Sequence, residues 1–292
     1  MTPQRSHLKG FLEHAKLGLG VAPATVHTYR SHVRRYLDWA TSNGAARLAP
    51  QMQGEAYVGD LRASGISNTT VQSHLCSLSA FFRYLSNLEP GTLSPFAGVR
   101  RPRREPVIRI LLPGEQVDRL IEGASRNPYS FRGPRDAAII SAMADAGLRR
   151  HEVTLVDLAG VTRRADGADL EVVGKGRKLR RIPCPPRLLR LLDTWLLVRG
   201  TDPGPLFVSI HRGRLSPKSI PPILELAAHL AGLPPIHCHD LRHYYATTLL
   251  RGGADLLSIQ EALGHSSPVT TAAYLHADHE RSRQAILAAL AK

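Results

Sequence analysis

The chain has 292 residues, 43% of them hydrophobic and 21% charged, a balance that excludes a wholly disordered or collagen-like chain. The length exceeds what one hydrophobic core usually organises and points to two domains. Lys and Arg number 38 against 24 Asp and Glu, and the resulting formal net charge of +14 attracts polyanions, nucleic acid first among them.

In chain order, Met1 to Lys16 lacks the apolar core of a signal peptide, and no run reaches the roughly 18 apolar residues of a membrane span. Cys76, Cys184 and Cys238 are far apart and odd in number, which makes no disulfide framework and suits a reducing compartment. A cytoplasmic protein without a membrane partner is expected. From Ala24 to Ala40, Val26, Tyr29, Val33, Tyr36, Leu37 and Ala40 recur at three- and four-residue steps, the pattern of an amphipathic helix. A second helix, capped by Ser67-Asn68, runs to Leu85 with Val71, Leu75, Leu78, Phe81, Phe82 and Leu85 as its buried stripe. Phe81 and Phe82 are in phase with that stripe, so packing is preferred over base stacking.

From Glu89 to Pro113 the periodicity collapses into Pro, Gly and Arg, which reads as an interdomain linker. Its run Arg100, Arg101, Pro102, Arg103, Arg104 is either a solvated tether or, as preferred here, a strap over DNA phosphates. Beyond Leu111, Asp136 to Ala146 reads as a helix closed by Gly147, and Asp169 to Pro183 as two short strands around the turn Gly174-Lys175-Gly176. Further helices are expected over Pro186–Val198, Pro217–Ala231, Asp240–Arg251, Leu256–Leu263 and Glu280–Leu290.

This second half strings together Arg149, Lys175, His237, His239, Arg242, His243, His265 and Tyr274, all donors, cations or proton carriers. No paired carboxylates accompany them, which argues against glycosidase and two-metal phosphoryl chemistry. An anionic substrate fits. Two arginines can fork onto the non-bridging oxygens of a phosphodiester and stabilise its pentavalent transition state without a metal. A tyrosine nucleophile would then store the bond energy in a phosphotyrosyl link that a DNA hydroxyl can reverse, so neither ATP nor another cofactor is needed. His239 and Arg242 are three apart at the start of a helix and can share a face. Zinc ligation by His237, Cys238, His239 and His243 is an alternative, although the spacing matches no standard pattern.

The stretch Ala146-Gly147-Leu148-Arg149-Arg150-His151-Glu152, the turn Val173-Gly174-Lys175-Gly176-Arg177-Lys178, the segment His239-Asp240-Leu241-Arg242-His243, the Leu263-Gly264-His265-Ser266 box and Tyr274 resemble the catalytic boxes of the tyrosine recombinases in order and spacing. The likeness is strong from Leu111 onward and looser before it, where the chain is similar to the core-binding domain of Xer and integrase proteins. It implies a mainly α protein with a small β-sheet, built as a two-domain C-shaped clamp. The expected parts are a helical, SAM-like core-binding domain over 1–98, a basic linker over 99–110, and a mixed α/β, mostly helical catalytic domain over 111–292.

The resemblance also implies roles. Arg149 and Arg242 would clamp the scissile phosphate, and Lys175 would protonate the departing 5′ oxygen. His239 would assist proton transfer and hold the phosphate, His265 would hydrogen-bond a phosphate oxygen, and Tyr274 would attack to give a 3′-phosphotyrosyl link. Glu152 would orient the site. The implied partners are a double-stranded recombination site and further copies of the chain in a tetramer, with room for a partner recombinase or accessory factor. Neither metal nor cofactor is implied. His151 departs from the small polar residue common at its position in the family. The segment Arg281–Leu290, with Ile286, Leu287 and Leu290 on one face, would dock either on a neighbour or on its own chain. A clamp that binds DNA without cutting it, and a type IB topoisomerase-like relaxing enzyme, are the competing functions.

Overall fold

The computed structural model describes residues 5–103, 111–165, 167–174 and 179–264. The chain divides into two compact units, Met1–Ile108 and Arg109–Lys292. Among the described residues no helix is long and apolar enough to cross a membrane.

The first unit is helical: α1 (Arg5–Leu17), α2 (Pro23–Ser42), α3 (Pro50–Ala63) and α4 (Asn68–Leu88). Pro23 and Pro50 each open their helix, where a missing N–H is not needed. Ser67 caps α4, its hydroxyl accepting from the Thr70 backbone N–H. The stripe on α4 turns inward as its periodicity requires, with Phe81 and Phe82 in the core beside Phe11, Tyr36 and Tyr57. Their rings meet mostly edge to face, at centroid separations of 5.1 to 5.8 Å for Tyr36 against Tyr57, Phe82 and Phe96. Phe96 shows that the Pro-rich stretch after Glu89 begins as core of this unit rather than as a free linker. The basic run is also anchored where it is described: Pro102 is buried, its carbonyl accepts from Gln72 of α4, and Arg101 reaches Cys76 Sγ at 3.6 Å. Arg100 and Arg103 are exposed, and Arg104 lies outside the described residues.

The second unit contains α5 (Gly114–Ser125), α6 (Arg132–Asp145), α7 (Arg150–Leu155), β1 (Val161–Arg164), β2 (Gly167–Val173), β3 (Leu179–Pro183), α8 (Pro186–Arg199), α9 (Ile220–Leu230), α10 (Cys238–Arg251) and α11 (Leu256–Leu263). Helix α6 is buried on nearly every face from Gly133 to Ala144, and the charges it buries, Arg135 and Asp136, are paired with each other at 2.8 Å. Its alanines at 137, 138, 142 and 144 let α5, α8 and α10 pack around it. The sheet is antiparallel in the order β1-β2-β3, with Val161 opposite Leu170 and Leu170 opposite Ile182. Ala168, Leu170 and Val172 alternate inward to the core. The two strands expected between Asp169 and Pro183 are β2 and β3; β1 is an addition. Helix α9 starts at Ile220, after a 3₁₀ turn over Pro217–Ser219, because Pro221 and Pro222 are tolerated in a first turn.

Candidate active site

The corner between α6 and α7 sets the first half of the site. Gly147 lies at φ +63°, the left-handed conformation in which glycine ends helices without strain. A Cβ there would sit 2.2 Å from Cδ1 of Tyr245, so α10 can approach this corner only because the residue is glycine. Leu148 then enters the core, and Arg149 stands at the N-cap of α7 with extended backbone. Glu152, one turn into α7, accepts the Arg149 backbone N–H at 2.8 Å and its Nη1 at 2.8 Å.

Arg180, on β3, is the residue the sequence reading missed. Its Nη1 and Nη2 donate to the two Glu152 oxygens at 3.0 and 2.9 Å, a bidentate fork. The signal was the period of the strand: Arg180 shares its face with buried Ile182, while Leu179 and Arg181 are exposed. A charge pointing inward on a strand needs a buried counter-charge, and Glu152 is only 4% exposed. Burial alone would push its carboxyl upward, but the hydrogen bonds from Arg180 and Arg149 prevail and hold it below the ordinary glutamate value, as an anion.

Arg242, one turn into α10, is 4% exposed. Its Nη1 donates to the Gly147 carbonyl at 2.6 Å and its Nη2 to the Leu263 carbonyl. Arg149 Nη2 donates to the Gly264 carbonyl at 3.1 Å, and Arg180 Nε to that of Ala262 at 3.2 Å. Three guanidiniums thus grip three consecutive carbonyls at the end of α11, the negative pole of that helix. Gly264, at φ +61°, closes it. Asp255 caps the other end, accepting from the Leu257 and Ser258 N–H groups at 2.8 and 3.0 Å.

His239 is exposed on the first turn of α10. It lines a cavity of about 1330 Å³ with Arg149, Arg242, His151 and His237, together with apolar side chains that include Leu224 of α9. The structure therefore brings Arg149, Glu152, His239 and Arg242 into one region of the second unit. Lys175, His265 and Tyr274 lie outside the described residues, as does the expected Glu280–Leu290 helix. Among the described residues no group of three or more His, Cys, Asp or Glu side chains is placed to hold a metal, so the zinc reading of His237, Cys238, His239 and His243 finds no geometric support. Burial also pushes the Cys238 thiol upward, toward its neutral form.

The family model of the phage integrase family matches residues 111–281, and that of the phage integrase N-terminal SAM-like domain matches residues 8–87. Tyrosine recombinase XerC of Alcanivorax borkumensis is 32% identical over 283 residues, covering 89% of this chain and 91% of the relative. Tyrosine recombinase XerD of Bifidobacterium longum is 30% identical, covering 92% of each. Among solved structures, the XerH site-specific recombinase bound to palindromic difH substrate, in a post-cleavage complex, superposes with a TM-score of 0.75 at 22% identity, over 97% of this chain and 84% of that one. A lambda integrase tetramer bound to a Holliday junction gives 0.72 at 19% identity, over 92% and 76% of the respective chains. At those identities the superpositions speak for the fold.

Proposed function

The chain belongs to the phage integrase family, and from that premise we propose that it is a site-specific tyrosine recombinase whose second unit cuts and rejoins DNA through Tyr274. The observation that carries this reading is the convergence of two arginines from distant segments: Arg149 and Arg242 donate to adjacent carbonyls at the end of α11 and line one cavity with His239. Two guanidiniums held side by side suit a phosphodiester, whose two non-bridging oxygens gain charge in the transition state.

In this mechanism the Tyr274 phenolic oxygen attacks the scissile phosphorus, the bond to the 5′ oxygen breaks, and a 3′-phosphotyrosyl link forms. Lys175 gives the departing 5′ oxygen its proton. His239 and His265 hold phosphate oxygens, and His239 assists the transfer of the phenolic proton. Attack by the 5′ hydroxyl of another strand reverses the chemistry and completes exchange, so no metal or nucleotide is called for. The working form is a tetramer on two duplex sites, with a partner recombinase or accessory factor where the sites are unlike, and the compartment is the cytoplasm. Arg100, Arg101, Arg103 and Arg104 contact backbone phosphates, adding salt-dependent affinity without sequence preference.

The test starts from a duplex selected for binding out of a random-sequence pool. Rebuilt with nicks placed in turn across its centre, it lets the short cleaved end diffuse away. A covalent protein–DNA band on a denaturing gel with the wild type, absent with Tyr274→Phe at equal binding, is the expected result. Tight binding without any covalent band would favour a DNA-binding protein that does not cut.

A further inference from the structure

Glu152 presents a difficulty for the mechanism just proposed. A buried carboxylate 2.8 Å from the Arg149 guanidinium would by itself cancel the charge that the arginine is meant to offer a phosphate. Arg180 is placed to resolve this. It takes both Glu152 oxygens in a fork at 2.9 and 3.0 Å, with only 13% of its own side chain exposed, whereas the Arg149 guanidinium binds one of those oxygens through a single nitrogen, the other contact coming from its backbone N–H, and a third of its side chain is left open. One anion is thus shared by two cations, and the outward cation is Arg149.

Arg180 also fixes where that cation points. Its Nε holds the Ala262 carbonyl, one residue before the carbonyl bound by Arg242 and two before that bound by Arg149. Its Nη1 would lie 3.1 Å from a Cβ at position 264, so the left-handed end of α11 is built against this guanidinium. Arg180 therefore bridges β3, α7 and the last turn of α11, from which the chain passes directly to His265.

We propose that Arg180 is a positioning residue of the recombinase: it shares the charge of Glu152 and pins the end of α11, so that the Arg149–Glu152–Arg180 group keeps a net positive charge and Arg149 presents it to the scissile phosphate in a fixed orientation. The proposal rests on the cleavage reading above. The guanidinium fork matters as well as the charge, since a lysine ammonium cannot bind both carboxylate oxygens and the Ala262 carbonyl from one plane.

Arg180→Gln and Arg180→Lys are compared with the wild type in single-turnover cleavage of the selected nicked duplex, at saturating protein. Misplacement of a phosphate-binding group by about 1 Å lowers rates on the order of 100-fold. Arg180→Gln is expected to lose that factor in cleavage rate while its dissociation constant for the duplex stays within about threefold of the wild type. Arg180→Lys is expected to recover only part of the loss. If Arg180 acts through Glu152, the Glu152→Gln/Arg180→Gln double variant cleaves no more slowly than the slower single variant. Equal losses in binding and cleavage, full recovery by lysine, or multiplicative losses in the double variant would overturn the proposal. Crystal structures of the wild type and Arg180→Gln form an arm independent of activity: a displaced Arg149 guanidinium supports the proposal, and an unmoved one overturns it. If the wild type forms no covalent product, the cleavage reading fails and the crystal arm alone decides what Arg180 holds.

Discussion

Replacing Gly147 by alanine adds one methyl group at the corner on which both Arg149 and Arg242 depend. Two penalties follow from the geometry. An L-residue forced to φ +63° costs about 1–2 kcal/mol. The added Cβ would also lie 2.2 Å from the Tyr245 ring, inside van der Waals contact, and forcing α10 away from the corner costs a further ~1–3 kcal/mol. The sum, about 2–5 kcal/mol, should lower the melting temperature of the second unit by roughly 5–15 °C. Because the Gly147 carbonyl receives Arg242 and the corner leads directly to Arg149, cleavage should fall further than the stability loss explains. Gly147→Asn separates the two penalties, since asparagine enters the left-handed region more readily but carries the same Cβ. It should recover the backbone part and retain the ring overlap. Chemical denaturation of the full chain in a Trp39→Phe background, followed by Trp195 fluorescence, reads the stability of the second unit, in which Trp195 is buried. A change under about 0.5 kcal/mol for Gly147→Ala, the size of an ordinary surface substitution, would refute the steric argument.

Glu152→Gln removes the anion between Arg149 and Arg180, and breaking a buried pair of this kind typically costs about 3–5 kcal/mol. Urea titration measures it, and a loss below about 1 kcal/mol would contradict the buried-pair description. Since the Glu152 carboxyl is held below its ordinary 4.5, its contribution is complete above that pH and disappears as pH falls through the lower folded value; the acid limb of the wild-type stability profile should flatten in Glu152→Gln. In the first unit, His74 is buried against Tyr57 and stacked on His32 at 3.8 Å, and burial, with the field of His32, lowers it to about 4. A histidine shifted downward favours the neutral folded form. The first unit should therefore be fully stable above about pH 6.5 and lose stability as pH falls from there toward 4. Circular dichroism melts of His74→Gln should show a weaker pH dependence across that window; an unchanged slope would remove His74 as the cause.

Much of this architecture was legible because burial imposes a period. The stripes of α2 and α4, the glycine stop after α6 and the paired strands flanking Gly174-Lys175-Gly176 each follow from local pattern, and each element appears within a few residues of its expected place. The elements α1, α3, α5, α7 and β1 were not read: α7 and β1 are too short to show a period, whereas α5 carries a regular stripe, Val117, Leu120, Ile121 and Ala124, that its position next to the Pro-rich stretch concealed. The Pro-rich stretch after Glu89 misled for a related reason, since a segment without periodicity can still place a single aromatic such as Phe96 in a core. For the site, Arg149, Glu152, His239 and Arg242 could be named from motif order, but their convergence could not, because it depends on α11 returning its last carbonyls to residues 21 to 115 positions earlier. Arg180 was hidden by the basic run around it. Among several consecutive cations, only the fold distinguishes the one that turns inward to Glu152.

The central claim is that Tyr274 becomes covalently joined to a 3′ phosphate of DNA. The measurement that tests it most directly is mass spectrometry of the trapped adduct, after protease and nuclease digestion, combined with end-labelling of the released strand. The expected result is a single modified peptide carrying a nucleotide on Tyr274, together with a free 5′ hydroxyl on the released DNA. A nucleotide on another residue, or a 5′-linked product, would contradict the account.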